Sequence, residues 1–140
     1  MRVYPTIKLE NKLQRQGFDL IAGVDEVGRG SWAGPIVAAA VIFKPGIKIT
    51  GVADSKMLSE KNRQILFEQI IDQCSYWSAA AIGPQIIDLI NVGQANLLVM
   101  EKAVRKLTTA GFKVYCHEKI PPNDGGLALG QLYAANYIIG

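Results

Sequence analysis

Histidine occurs once in the 140 residues and cysteine twice, and no CxxC pair is present. That scarcity excludes a zinc site of the usual nitrogen and sulfur ligands. Cys74 and Cys116 lie far apart, each among apolar residues in a strand-like stretch, so free buried thiols are expected in place of a disulfide. No apolar run approaches the ~20 residues of a membrane-spanning helix. The longest, Ile36 to Phe43, suits a buried strand. The opening MRVYPTIKLE alternates polar and apolar residues and has no secretory hydrophobic region, so an intracellular, cytoplasmic location is the expectation. Charged residues make up only 19% and the net charge is +3, a balance that permits a polyanionic partner without requiring one. Repeats, low-complexity tracts and flexible linkers are also missing. What is present is a hydrophobic share of 49%, with glycine and proline spread along the chain. This is the composition of a folded protein, and residues 1–140 are expected to form one domain.

Residues 1–17 read as a polar lead-in with helical character around Lys8, Lys12 and Arg15. Phe18 to Val24 reads as a strand, followed by a turn rich in glycine (Gly28, Gly30, Gly34) and by the strand Ile36–Phe43. Two strands joined in this way predict an antiparallel hairpin. Lys44 to Met57 is loop-like. Ser59 can cap a helix running to about Asp72, with Ile65, Leu66 and Ile70 on one side. Tyr76–Ile82 is a strand ended by Gly83-Pro84. A second helix is expected over roughly Gln94–Thr108, then a strand over Phe112–Cys116 and a last helix from about Leu127 to Ile138. The order β-β-α-β-α-β-α predicts an α/β fold: a mixed sheet, with an antiparallel hairpin plus parallel strands, covered by helices.

The stretch that carries chemistry is Gly23-Val24-Asp25-Glu26-Val27-Gly28-Arg29-Gly30. Two adjacent carboxylates finish a hydrophobic strand, where burial is costly without a compensating cation. Side chains alternate along a regular strand, so the strand is expected to end here, with both carboxylates reaching a metal from its margin. Mg²⁺ prefers hard oxygen ligands and keeps part of its water, which suits a sparse carboxylate site. Arg29 stands between two glycines and can approach a polyanionic backbone closely. A solvated turn with a Glu–Arg pair is the plain alternative for the dipeptide alone.

Its surroundings decide between them. DEVGRG is followed by WAGPIVAAAVIF, then by Ala53-Asp54-Ser55-Lys56-Met57-Leu58-Ser59-Glu60-Lys61, and later by Asn91-Val92-Gly93-Gln94-Ala95-Asn96. Over about residues 18–105 this succession closely resembles ribonuclease HII. The resemblance implies an RNase H-like fold and hydrolysis of the RNA strand of an RNA–DNA hybrid, or of a duplex with an embedded ribonucleotide, using Mg²⁺ or Mn²⁺. Asp25 and Glu26 match the first two of the family's four site carboxylates. Gly28, Arg29 and Gly30 match the loop that senses the ribose 2′-hydroxyl, the group that distinguishes RNA from DNA. Ser55 and Lys56 match a segment near the nucleic-acid backbone.

The family's third carboxylate ends a strand in a VDG-like motif. Here the strand Phe112–Cys116 is followed by His117 and Glu118, so one of these two is left as a substitute. From about residue 101 to Gly140 the chain, with PPNDGGLALGQ, instead resembles the end of hydrogenase-maturation carbamoyltransferases, which have an actin-like ATPase fold. A change of family within one helix implies a chimera, natural or designed. Asp124 falls near a metal or phosphate site in both resemblances and also suits an N-cap. Three functions follow: an impaired metal-dependent endoribonuclease using Asp25, Glu26 and Asp124; an inactive chimeric or de novo fold that binds metal or nucleic acid; and, on the tail alone, a nucleotide-binding protein.

Overall fold

The computed structural model describes residues 7–31 and 33–115, with the backbone of residues 132–137. Strand Leu20–Val27 (β1) turns Ala22 and Val24 to one face, and strand Ile36–Phe43 (β2) turns Ile36, Ala38, Ala40 and Ile42 to the same face. All six are buried almost completely. The antiparallel register runs from Ile21 opposite Phe43 to Val27 opposite Val37, which makes the apolar face continuous. Strand Tyr76–Ile82 (β3), with the bounds its sequence predicts, pairs antiparallel on the far side of β2, from Tyr76 opposite Ile42 to Ile82 opposite Ile36.

Helix Pro84–Thr109 (α3) closes this face with Ala95, Val99, Ala103, Val104 and Leu107. Alanines on both sides of the contact, including Ala22, Ala38 and Ala40 on the sheet, let the helix come close. Ser78 is the one buried polar side chain among the described residues. Its Oγ donates to the Ala103 carbonyl at 2.8 Å, so its burial leaves no hydroxyl unmatched. The sequence placed this helix only from about Gln94. It begins at Pro84, because a proline is well tolerated at a first helical position, where the N–H has no intrahelical partner. The helix kinks at Asn91, whose φ is 66°, and the Asn91 Oδ1 accepts from the Gln94 amide at 3.1 Å. The segment legible in the sequence is the one this cap restarts.

Two further helices are Lys8–Arg15 (α1) and Glu60–Gln73 (α2). Ser59 caps α2 as expected, its Oγ accepting from the Asn62 amide at 3.2 Å. Of Ile65, Leu66 and Ile70, read as one side of this helix, Leu66 and Ile70 are half-buried and Ile65 is exposed; α2 has no fully buried residue.

Strands Phe112–Tyr115 (β4) and Leu132–Tyr137 (β5) complete a sheet of order β3-β2-β1-β5-β4. Phe112–Tyr115 runs parallel to β1, the direction expected, but β5 lies between them and pairs antiparallel with both. The last helix, expected from about Leu127 to Ile138, is corrected over Leu132–Tyr137, which is a strand; the rest of that range lies outside the described residues. Aromatic residues at positions 133 and 137 favour strands. Pairing with Leu20–Gly23 supplies backbone partners along β1, and such context overrides the helical preference of an alanine pair. No helix of the described residues is long and apolar enough to cross a membrane. Cys74 is free and half-buried, and Cys116 lies outside the described residues.

Candidate metal and nucleic-acid site

Contrary to the sequence reading, β1 does not end before its carboxylates but continues through Val27, still paired with β2. Asp25 therefore falls on the face of Ile21 and Gly23 and is exposed, whereas Glu26 falls on the closed face of Ala22 and Val24 and is half-buried. On its other side β1 pairs, over Leu20 to Gly23, with the described part of β5. The Glu26 amide donates to the Asp25 Oδ1 at 2.9 Å, which holds that carboxylate back against the strand. The two acids meet despite the alternation because one of them folds onto the backbone.

Glu26 carries the cost of this placement. Its Oε2 is shielded from water and has no hydrogen-bond partner among the described residues. Burial pushes its carboxyl above the usual glutamate range, the neighbouring Asp25 charge pushes it further, and Arg29 opposes both more weakly. A hard divalent cation accepted by both acids would supply the missing partner and offset their repulsion. The donor set is all oxygen, which fits Mg²⁺ or Mn²⁺. Among the described residues no group of three or more metal-ligating side chains gathers, so this pair is the whole of the described acidic site.

Tyr115, the last described residue of β4, pairs with Ala134, and Leu132, the first of β5, pairs with Gly23. The chain thus leaves and re-enters the sheet at the end where β1 carries Asp25 and Glu26. His117, Glu118 and Asp124 belong to the intervening stretch and lie outside the described residues.

Directly after β1, Gly28 has φ 95°, and a Cβ there would stand 2.5 Å from the Pro35 carbonyl oxygen. Only glycine fits this turn. The Gly28 carbonyl accepts from the Ser31 amide at 3.2 Å, which places Arg29 and Gly30 within the turn, both exposed. Around Gly30 there is open space, so nothing among the described residues requires a glycine there.

Ser55 and Lys56 sit apart from β1, in the exposed 3₁₀ turn Ser55–Met57 that leads into α2. The Asp54 Oδ1 accepts from the Lys56 amide at 2.9 Å. Arg63 Nη1 donates to the Ser55 carbonyl at 3.2 Å and to the Leu58 carbonyl at 2.7 Å. Sequence reasoning assigned no part to Arg63; its signal is its place one turn into the helix that the Asp-Ser-Lys run opens. It holds the turn on α2, so Ser55 and Lys56 are presented by a fixed backbone.

The ribonuclease HII family profile matches residues 22–124. Ribonuclease HII of Carboxydothermus hydrogenoformans is 48% identical over 102 residues, covering 73% of this chain and 44% of that protein. Ribonuclease HII of Coxiella burnetii is 48% identical over 116 residues, covering 80% of this chain and 57% of the relative. Ribonuclease HII of Koribacter versatilis is 46% identical over 107 residues, covering 76% and 42%. An α/β sheet with paired carboxylates on its central strand is thus joined to a specific ancestry: the chain belongs to the ribonuclease HII family. It spans about half the length of these curated relatives. The family match continues to residue 124, past the point where the resemblance was expected to stop, so a change of family at about residue 101 is not supported.

Proposed function

We propose that this chain is a divalent-metal-dependent endoribonuclease of the ribonuclease HII type, acting on RNA–DNA hybrids or on a duplex with an embedded ribonucleotide. The observation that carries the reading is the Asp25–Glu26 pair on the central strand, with its unpartnered Glu26 oxygen, inside a segment that belongs to this family. The whole of residues 1–140 acts as one domain, in the cytoplasm. Asp25, Glu26 and Asp124 hold the metal, with His117 or Glu118 in the place of the family's strand-end aspartate. When bound, Mg²⁺ or Mn²⁺ would lower the pKa of a water and stabilise charge on the leaving oxygen.

The chain's own residues do the rest. Asp25 and Glu26 supply negative oxygen donors from a strand whose register fixes their spacing. Gly28, Arg29 and Gly30 form a tight turn beside them that can approach a ribose closely, with Arg29 paired to phosphate. Ser55 and Lys56 contact the backbone of the duplex from the turn that Arg63 braces. Because histidine is a poor Mg²⁺ ligand and an acceptable Mn²⁺ ligand, cleavage is weak in Mg²⁺ and stronger in Mn²⁺.

The test is cleavage of a duplex with one embedded ribonucleotide, in each metal, by the chain and by Asp25→Asn. Cleavage that the substitution abolishes supports the reading. Metal-dependent binding of the duplex with no cleavage in either ion would replace it with the binding-only alternative. Robust cleavage in Mg²⁺ would show that the site is complete without the family's third carboxylate and remove the proposed impairment.

A further inference from the structure

Helix α1 fully buries none of its eight residues, so it adds little to the core. Its place is the outer face of the hairpin, opposite the face that α3 closes. Asn11 and Gln14 line a cavity of about 290 Å³ together with Ile21, Gly23 and Val41. Gly23 shares that face of β1 with Asp25 and lies two residues, about 7 Å, behind it along the strand. The charges of α1 are sorted by side. Lys8, Lys12 and Arg15 recur at i, i+4 and i+7, which puts them on one stripe about 10 Å long. All three are exposed, and none forms an ion pair among the described residues. Glu10, the one acid of the helix, stands two positions from each lysine and so on another side. Its Oε2 is shielded from water and accepts no hydrogen bond among the described residues, so it does not neutralise the stripe. Across the cavity, the loop after β2 carries Lys44 and Lys48, both exposed, on either side of the cavity-lining Gly46 and Ile47. Residues 7–24 and 36–53 build this side of the hairpin. They hold five cations, Lys8, Lys12, Arg15, Lys44 and Lys48, against two acids, Glu10 and Asp19.

We propose that the stripe Lys8–Lys12–Arg15 is a second anchor for the nucleic-acid duplex, taking backbone phosphates of one flank beyond the ribonucleotide. The partner rests on the endoribonuclease reading; the surface rests on placement, since α1 is packed on the face of the hairpin that carries Asp25. Charge and spacing select the occupant. A duplex presents one phosphate per 3.4 Å of axis on each strand, so a stripe of about 10 Å matches about three phosphates of one strand with three cations. Contacts of this kind fix the position of a duplex without reading its bases. Such an anchor suits a flank whose sequence varies from one substrate to the next.

The experiment measures binding of a duplex with one embedded ribonucleotide by fluorescence anisotropy, with a chelator present and over a series of salt concentrations. It compares the unaltered chain, Lys8→Gln with Lys12→Gln, and Lys102→Gln with Arg105→Gln, which takes the same charge from α3 on the other side of the sheet. The α1 pair should weaken binding at low salt by about tenfold or more and flatten the dependence of log affinity on log salt by about two units. The α3 pair should leave that slope as it is. Trimming the duplex from one end, and not from the other, should erase the difference between the α1 pair and the unaltered chain. An unchanged slope in the α1 pair overturns the proposal. So does an equal loss in the α3 pair, which would reduce the effect to net charge, or a difference that survives trimming from either end. Tighter binding of polyglutamate than of the duplex through the same two lysines overturns it in favour of an acidic protein partner. If the α1 pair does not fold, Arg15→Gln alone must flatten the slope by about one unit; no change there overturns the proposal equally. Cleavage in Mg²⁺ or Mn²⁺ separates the two readings. A chain that binds through the stripe and cuts nothing loses the endoribonuclease reading and keeps the anchor. A chain that cuts, with its slope indifferent to Lys8 and Lys12, loses the anchor alone.

Discussion

Helices α2 and α3 precede and follow β3 in the chain and hold opposite positions in the energetics of the fold. From α3, five side chains enter the core, and it reaches β1, β2, β3 and β4. Helix α2 buries none, keeps Ile65 and Phe67 exposed, and is defined instead by its ends: the Ser59 cap and the Arg63 brace on the turn before it. One helix builds the sheet's closed face; the other carries a turn. A periodic apolar pattern predicts a helix in both cases but does not say which one will be buried, because burial depends on what the sheet offers opposite.

The sharpest test of that contrast is paired truncation. Ile42, fully buried beneath α3, should cost about 2–5 kcal/mol as Ile42→Ala, from lost burial and the cavity left behind. Phe67→Ala removes a larger side chain from α2 and should change stability by no more than about 0.5 kcal/mol, as for a surface position. Urea unfolding of the two variants measures both. A Phe67→Ala loss comparable to that of Ile42→Ala would mean α2 is packed in solution and would break the comparison.

A second contrast divides the sheet's two faces at the site. Glu26 is on the closed face, and its carboxyl is raised chiefly by burial and then by Asp25. A raised acid contributes stability that is complete below its unfolded pKa, about 4.3, and is lost as pH rises through the folded value. Without metal, Glu26→Gln should therefore stabilise the protein at neutral pH, and the gain should fade on acidification toward the unfolded pKa. Thermal melts with a chelator across that window read the effect. Mn²⁺ should raise the melting temperature of the unaltered chain and much less that of the variant, through binding to the folded state. A Glu26→Gln variant that is less stable at neutral pH, or one equally responsive to Mn²⁺, would show that Glu26 is not the strained, metal-seeking member of the pair.

The hairpin, β3, the capped start of α2 and the acidic dipeptide were all legible in the sequence, because each rests on a local signal: alternation, a Ser cap, a breaker pair. The continuation of β1 through Val27 was not. It depends on pairing with Val37, and the reasoning that both acids must face one way overlooked the hydrogen bond that folds Asp25 onto the Glu26 amide. The start of α3 was hidden by a proline that reads as a breaker and serves as a first residue. The strand at Leu132–Tyr137 was hidden because one of its two partners is more than a hundred residues earlier in the chain, beyond any local pattern. Of the site, the carboxylates and the Gly28–Gly30 turn were visible, whereas the Arg63 brace was present in the pattern without a role attached.

That brace yields a smaller, local effect. Arg63→Ala removes two hydrogen bonds to exposed carbonyls and should lower global stability by about 1 kcal/mol at most. Its clearer signature is faster hydrogen exchange at Met57 and Leu58, whose amides close the 3₁₀ turn onto the Asp54 and Ser55 carbonyls. Unchanged exchange there would leave the turn held by Asp54 alone, and α2 without the one structural task assigned to it.

The smallest expected effect lies inside α3, at the kink that separates its legible and hidden halves. Asn91 combines a φ of 66° with a cap on the Gln94 amide. Asn91→Gly relieves the backbone strain but loosens the unfolded chain, and replacing an Asn cap by Gly costs only a few tenths of a kcal/mol. These terms oppose each other, so the net change should stay within about 0.5 kcal/mol. Asn91→Ala keeps the strain and loses the cap, for about 1 kcal/mol of destabilisation. The order of the two is the diagnostic quantity. Gly93→Ala adds to it, because the new Cβ would stand 3.3 Å from the Asn91 Oδ1 and crowd the cap from the other side. If denaturation found Asn91→Ala no worse than Asn91→Gly, the kink would not be maintained by this residue, and α3 would owe its bend to packing on the sheet instead.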